Sequence, residues 1–167
     1  SYYEIRKSIE DNPLFDSRKA QKKLRIFVER NPGTINVKAE IMIDHFIQNV
    51  VNPKKLKGKA KGMIITQNIE SAIRYYKAIS NLLDKRGNPF KVIIAFSGVK
   101  EVDGIKYSEA DMNHFSEERT KQYFDGYDQD SRPIIHDGNS IENKYRLLIV
   151  ANKYLTGFDQ PKLTTMY

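Results

Sequence analysis

The sequence predicts an α/β fold, a parallel sheet with flanking helices preceded by an α-helical segment, on three observations. Short apolar runs without polar alternation occur at Gly62–Thr66, Lys91–Gly98 and Leu147–Val150, as expected of strands buried on both faces. The segment between the first two runs carries apolar residues at helical spacing, giving the strand–helix–strand order of a parallel βαβ unit. The residues before position 50 lack any strand signal.

Taken in order, SRKAQKKLRIFVER reads as a helix with a basic outer face, and Asn31-Pro32-Gly33 as a turn. In TINVKAEIMIDHFIQNVV, Ala39, Ile43, Phe46, Ile47 and Val50 follow the spacing of one helix face. NPKKLKGKAKG then reads as a solvated connection, with Lys54, Lys55, Lys57, Lys59 and Lys61 set among Pro53 and Gly58.

After the first strand, Ile69, Ala72, Ile73, Tyr76, Ile79, Leu82 and Leu83 trace a helix stripe. Asn68 caps its start, Glu70 suits its positive end, and Lys85, Arg86 and Gly87 suit its finish. Beyond the second strand the chain is polar, with a turn at Asp103-Gly104 and a helical stretch in SEERTKQYFDGY. DQDSRPIIHDGNS reads as loop. Leu147–Val150 is the third parallel strand, and Leu163–Tyr167 starts a fourth.

Composition bounds the chemistry. The chain holds no cysteine, which excludes disulfides and thiolate metal sites and is compatible with a reducing cytoplasmic setting. No apolar run approaches the roughly 20 residues of a membrane span, and SYYEIRKSIEDN lacks the pattern of a signal peptide. Without an initiating Met, the chain is expected to be a piece of a longer protein. A formal charge of +7 and a pI near 9.4 favour a polyanionic partner. The three histidines, His45, His114 and His136, lack the spacing of a zinc site. Tyr75 and Tyr76 sit on or beside the helix stripe and read as packing residues rather than base-stacking ones.

Ligands of an open parallel sheet bind outside the carboxyl ends of its strands. Those ends carry Thr66-Gln67-Asn68, Ser97-Gly98, and Ala151 through Pro161. In the last stretch Gly157 permits close backbone approach and Pro161 stiffens the exit. Asp159 between them is an acceptor suited to ribose hydroxyls, or a carboxylate that caps its own loop. The chain has no G-x-x-x-x-G-K-[ST] phosphate loop.

ANKYLTGFDQP resembles motif V of superfamily 2 helicases and translocases, and the longer YRLLIVANKYLTGFDQPKLTTMY resembles the motor of type I restriction enzyme R subunits. GKAKGMIIT with NIESAIRYYKAI is similar to the motif IV region of that family, and KVIIAFSG to its next strand. YSEADMN and NVKAEIMIDHFIQNVV match in character and order. The resemblance implies that residues 1–57 are a helical lead-in and basic linker, and 58–167 a second RecA-like lobe truncated after motif V. It implies ATP bound between two lobes, with Asp159 facing the ribose and Gly157 shaping the loop.

By the same resemblance Thr66, Gln67, Ser97, Gly98, Asn152 and Thr156 would track the DNA backbone. A Thr-Asp pair common in the motif is Ala151-Asn152 here. The phosphate loop and the acidic box for Mg²⁺ would lie in a first lobe upstream, and the arginine finger downstream. The fragment alone is therefore expected to be inactive, with no catalytic residue of its own. Double-stranded DNA and the modification and specificity subunits are the implied partners. Alternatives are another superfamily 2 helicase, or a non-catalytic α/β module binding DNA or a subunit. A further rival is a metal-dependent nuclease built on Asp137 and Glu142-Asn143-Lys144, although no strand is evident there to carry that motif.

Overall fold

The computed structural model describes residues 35–151 and 162–167. The helix expected over residues 17–30 and the turn at Asn31-Pro32-Gly33 lie outside them. Helix α1 (Ile35–Phe46) buries Ala39, Met42, Ile43 and Phe46. It ends in a π turn, Ile47–Val51, where the Asn52 N–H reaches back to the Ile47 carbonyl at 2.8 Å. The wider turn shifts the phase of the apolar stripe, so Val50 is buried while Ile47 is only partly covered.

Strand β1 (Lys61–Thr66) leads to α2 (Ile69–Lys85) and then to β2 (Lys91–Ala95). A hairpin follows, β3 (Val99–Val102) against β4 (Ile105–Ser108). Its expected turn has φ of 53° at Asp103 and 79° at Gly104, the left-handed pair that a two-residue turn requires. Helix α3 (Glu109–Asn113), a 3₁₀ turn (Glu117–Arg119) and α4 (Thr120–Asp125) come next. The stretch read as loop holds a small hairpin, β5 (Ile135–His136) and β6 (Asn139–Ser140). Asp137 and Gly138 in left-handed conformation form its tip. Strands β7 (Tyr145–Ala151) and β8 (Leu163–Met166) complete the main sheet.

That sheet is parallel with strand order β2-β7-β1-β8. The two strands of the βαβ unit therefore do not pair with each other, because β7 is inserted between them. Its pairing runs Gly62 to Leu147 through Thr66 to Ala151 on one side, and Val92 to Leu147 through Ala95 to Val150 on the other. Both faces are covered, which is why the runs are apolar without alternation. Ile64, Val92, Ile94, Leu147 and Ile149 face a core shared with α1 and α2. Met63, Ile93, Ala95, Leu148 and Val150 pack with Tyr123 and Phe124 of α4. Each of the Val, Leu, Ile, Met and Phe side chains among them contributes about 1.5–3 kcal/mol on burial.

Helix α1 belongs to the first of these cores. An ion pair of 2.6 Å joins Asp44 to Arg86 beyond the end of α2, and His45 hydrogen-bonds the Tyr167 hydroxyl. Gly62 lets α1 approach, since a Cβ there would lie 2.8 Å from Leu147 and 2.9 Å from Phe46. Tyr76 is half-buried and donates its hydroxyl to the Met112 carbonyl, in keeping with a packing role. Among the described residues, no helix is long and apolar enough to cross a membrane.

One expectation is corrected. Lys54, Lys55, Lys57 and Lys59 are exposed as a solvated connection requires, but Lys61 is fully buried at the start of β1. Its ammonium is compensated by the carbonyls of Glu142 at 2.7 Å and Tyr145 at 2.5 Å, and it lies 5.0 Å from the centre of the Phe124 ring. A lysine can occupy a strand start in this way when neighbouring backbone supplies acceptors in place of water.

Candidate functional site

The parallel order brings the carboxyl ends of β2, β7 and β1 side by side. At about 4.8 Å per strand, the ends of β2 and β1 are roughly 10 Å apart with that of β7 between them. Thr66 closes β1. It is buried, and its hydroxyl is directed to the Val150 carbonyl at 3.0 Å and the Asn68 carbonyl at 3.1 Å. Its side chain thus locks β1 to β7 and shapes the turn into α2. Gln67 and Asn68 are exposed beyond it. Asn68 is extended and accepts the Ser71 N–H at 2.8 Å, the helix cap expected from the sequence.

At the end of β2, Ser97 is half-exposed and Gly98 exposed. Gly98 has φ of +73°, and among the described residues nothing stands within 4 Å of where a Cβ would be. This glycine meets a backbone requirement while leaving its surroundings open. Of the residues expected to track a DNA backbone, Thr66, Gln67, Ser97 and Gly98 therefore share one edge, although Thr66 itself is buried. Asn152, Thr156, Gly157 and Asp159 lie outside the described residues. Flanking them, Ala151 pairs with Thr66 at the carboxyl edge, while Leu163 pairs with Lys61 at the opposite edge.

Sequence reasoning missed two side chains behind this edge. The carboxylate of Glu109 is fully buried, accepting the Phe96 N–H at 2.8 Å and the Thr120 hydroxyl at 2.7 Å. One turn later Asn113 accepts the Ile94 N–H at 3.0 Å and donates to the Ile94 carbonyl at 2.7 Å. The signal was the i, i+4 pair of polar residues in SEADMN, which a polar-means-exposed reading passes over.

The amino edge is different in kind. The Lys162 ammonium lies 3.1 Å from Glu142 and 3.4 Å from Asp125, and donates to the Asp125 carbonyl at 3.1 Å. Glu142 also meets Lys59 at 3.4 Å and accepts from the Tyr127 hydroxyl at 3.1 Å. Burial opposes ionisation of Glu142, but Lys162, Tyr127 and Lys59 outweigh it and hold the carboxyl below its usual range. Arg146 is buried and donates through Nε and Nη2 to the Ala60 carbonyl at 3.1 and 2.8 Å. Lys61 is pushed down to about 7, first by burial and then by the charges of Lys162 and Arg146.

These contacts bear on the nuclease rival. Glu142 to Lys144 form a turn rather than a strand, and the Glu142 carboxylate is occupied by cations and a hydroxyl. Among the described residues, no group of three His, Asp or Glu side chains could hold a metal ion. A cleft of about 220 Å³ between Tyr76, Phe90, His114 and Tyr145 opens beside the amino end of β2, away from the carboxyl edge.

Comparison with known proteins identifies the lineage. The family model described as "Type I restriction enzyme subunit R domain 3" matches residues 58–167. A Staphylococcus aureus (strain MRSA252) protein, named the type I restriction enzyme SauMRSORF196P endonuclease subunit, is 26% identical over 148 residues, covering 78% of this chain and 15% of its own. A Methanocaldococcus jannaschii protein with a provisional name of the same class is 27% identical over 166 residues, covering 95% of this chain and 14% of its own. The chain thus spans about a seventh of the length of the curated relatives it matches.

Proposed function

The chain belongs to the type I restriction enzyme subunit R domain 3 family, and from that premise we propose that it supplies part of the second RecA-like lobe of an ATP-driven DNA translocase. The observation that carries this reading is the contrast between the edges of a sheet within the matched region. The carboxyl edge offers solvent-accessible neutral groups at Gln67, Ser97 and Gly98, whereas at the amino edge Lys162, Glu142 and Asp125 are taken up by one another, with Lys54, Lys55 and Lys57 exposed just before β1.

In this reading duplex DNA runs along the carboxyl edge. The Gln67 amide, the Ser97 hydroxyl and the backbone at Gly98 contact phosphate oxygens, with Asn152 and Thr156 continuing the track. Such contacts position a duplex without reading its sequence, which suits a motor that must pass over any sequence. Thr66 keeps the turn in place from below. Gly157 and Asp159 line the inter-lobe nucleotide site, where the carboxylate accepts from the ribose hydroxyls. ATP with Mg²⁺ supplies the closure of the lobes, and its metal is held mainly by residues outside this chain.

The parent subunit acts in the cytoplasm with modification and specificity subunits and cleaves DNA after translocating it. Its nuclease centre is not Asp137 with Glu142, given what already occupies Glu142. In the intact subunit, Asp159→Ala is expected to weaken ATP-driven translocation several-fold while leaving the fold intact by circular dichroism. Translocation at the unmodified rate would remove the nucleotide-site assignment.

A further inference from the structure

Strand β2 is an edge strand, so its outer N–H and C=O groups need partners beyond the sheet. Helix α3 supplies them from two side chains one turn apart. Asn113 takes both polar groups of Ile94, and Glu109 takes the N–H of Phe96, the residue just before Ser97. The second Glu109 oxygen takes the Thr120 hydroxyl at the start of α4. A carboxylate is well matched to this place. It is acceptor-only, so an amide and a hydroxyl can both donate to it without leaving a buried donor unpaired. Hydrogen bonds to a carboxylate are also the stronger kind. The backbone that presents Ser97 and Gly98 is thereby tied to two helices.

We propose that Glu109 is a positioning residue for DNA engagement: by holding the Phe96 N–H against Thr120, it fixes the Ser97–Gly98 turn in the conformation that meets the phosphate backbone. This rests on the reading of the carboxyl edge as the DNA track. Glu109 is fully buried and touches no DNA itself. Its effect therefore falls on the DNA concentration needed for stimulation, and leaves the number of phosphate contacts unchanged.

The test uses the intact subunit and linear duplex DNA, measuring ATP hydrolysis against DNA concentration at several salt concentrations. Glu109→Ala is expected to raise the half-stimulating DNA concentration about tenfold. The rate at saturating DNA should stay within about twofold, and the slope of log affinity against log salt should not change. Glu109→Gln keeps an acceptor for Phe96 but forces the Thr120 hydroxyl to accept from its amide, so it should restore part of the loss. If Glu109→Ala abolishes the thermal unfolding transition, Thr120→Val carries the test, with a rise of about threefold expected.

Ser97→Ala and Gly98→Ala separate the two levels. A DNA shift in these variants with none in the Glu109 or Thr120 variants overturns the positioning role alone. No shift in Ser97→Ala or Gly98→Ala overturns the DNA-track reading, and the positioning role with it. Loss in Glu109→Ala that Glu109→Gln does not restore also overturns the positioning role.

Discussion

The two edges of the sheet are made from the same strands yet use polar residues in opposite ways. At the amino edge Lys61, Arg146, Lys162, Glu142 and Asp125 satisfy one another or nearby backbone carbonyls. At the carboxyl edge the buried polar groups of Thr66, Glu109 and Asn113 face inward, while Gln67, Ser97 and Gly98 are left to solvent. Paired and desolvated charges hold a fold together at little net gain, whereas exposed neutral groups on a rigid support can meet a ligand.

The largest effect expected from this contrast comes from a pair of glycines, both in left-handed conformation. Gly126, after α4, has φ of +91°, and a Cβ there would lie 2.5 Å from the Glu142 Cα. Gly126→Ala should cost about 3 kcal/mol or more, combining backbone strain with a collision against main chain. Gly98→Ala meets no atom of the described residues and should cost about 1–2 kcal/mol. Urea unfolding of the two variants measures the difference. Equal losses would mean the carboxyl-edge turn is packed as tightly as the amino edge.

Next is the pH dependence carried by Lys61. Its folded-state value is near 7, against an ordinary 10.5 in the unfolded chain. Between those values the unfolded state binds the additional proton, so stability rises as pH rises through that interval. The limit is about 1.4 kcal/mol per pH unit, or roughly 2 kcal/mol from pH 7 to pH 9. Lys61→Met should flatten this rise. An unchanged pH profile in that variant would show that the amino-edge cluster does not desolvate Lys61.

The smallest effect on the fold is expected at Gln67. Gln67→Ala should shift stability by no more than about 0.5 kcal/mol, while weakening duplex binding by the intact subunit about fivefold whatever the DNA sequence. A loss confined to particular sequences would sharpen the picture by assigning Gln67 to base contact instead.

How far the sequence revealed this depends on the kind of feature. The strands were legible because both faces are buried, leaving runs such as Leu147–Val150 without polar interruption. Helix α2 was legible because it has one buried face and a side-chain cap at Asn68. The insertion of β7 between β1 and β2 was not, since partners as distant in sequence as Gly62 and Leu147, or Val92 and Leu147, leave no local trace. Lys61 was misread for a related reason. Its burial depends on carbonyls of Glu142 and Tyr145 that only the folded sheet brings near. Thr66, Gln67, Ser97 and Gly98 were legible as strand-end residues, whereas the bonds by which Glu109 and Asn113 hold the backbone before Ser97 were hidden among ordinary polar residues.

The most direct test of the contrast is amide hydrogen exchange across this chain in the intact subunit, with and without duplex DNA and a non-hydrolysable ATP analogue. We expect DNA to protect residues 66–68 and 96–99, and the nucleotide to protect residues 156–160. Exchange in residues 54–62 and 125–145 should stay as it is in the free subunit. DNA-dependent protection confined to those amino-edge segments would contradict the account.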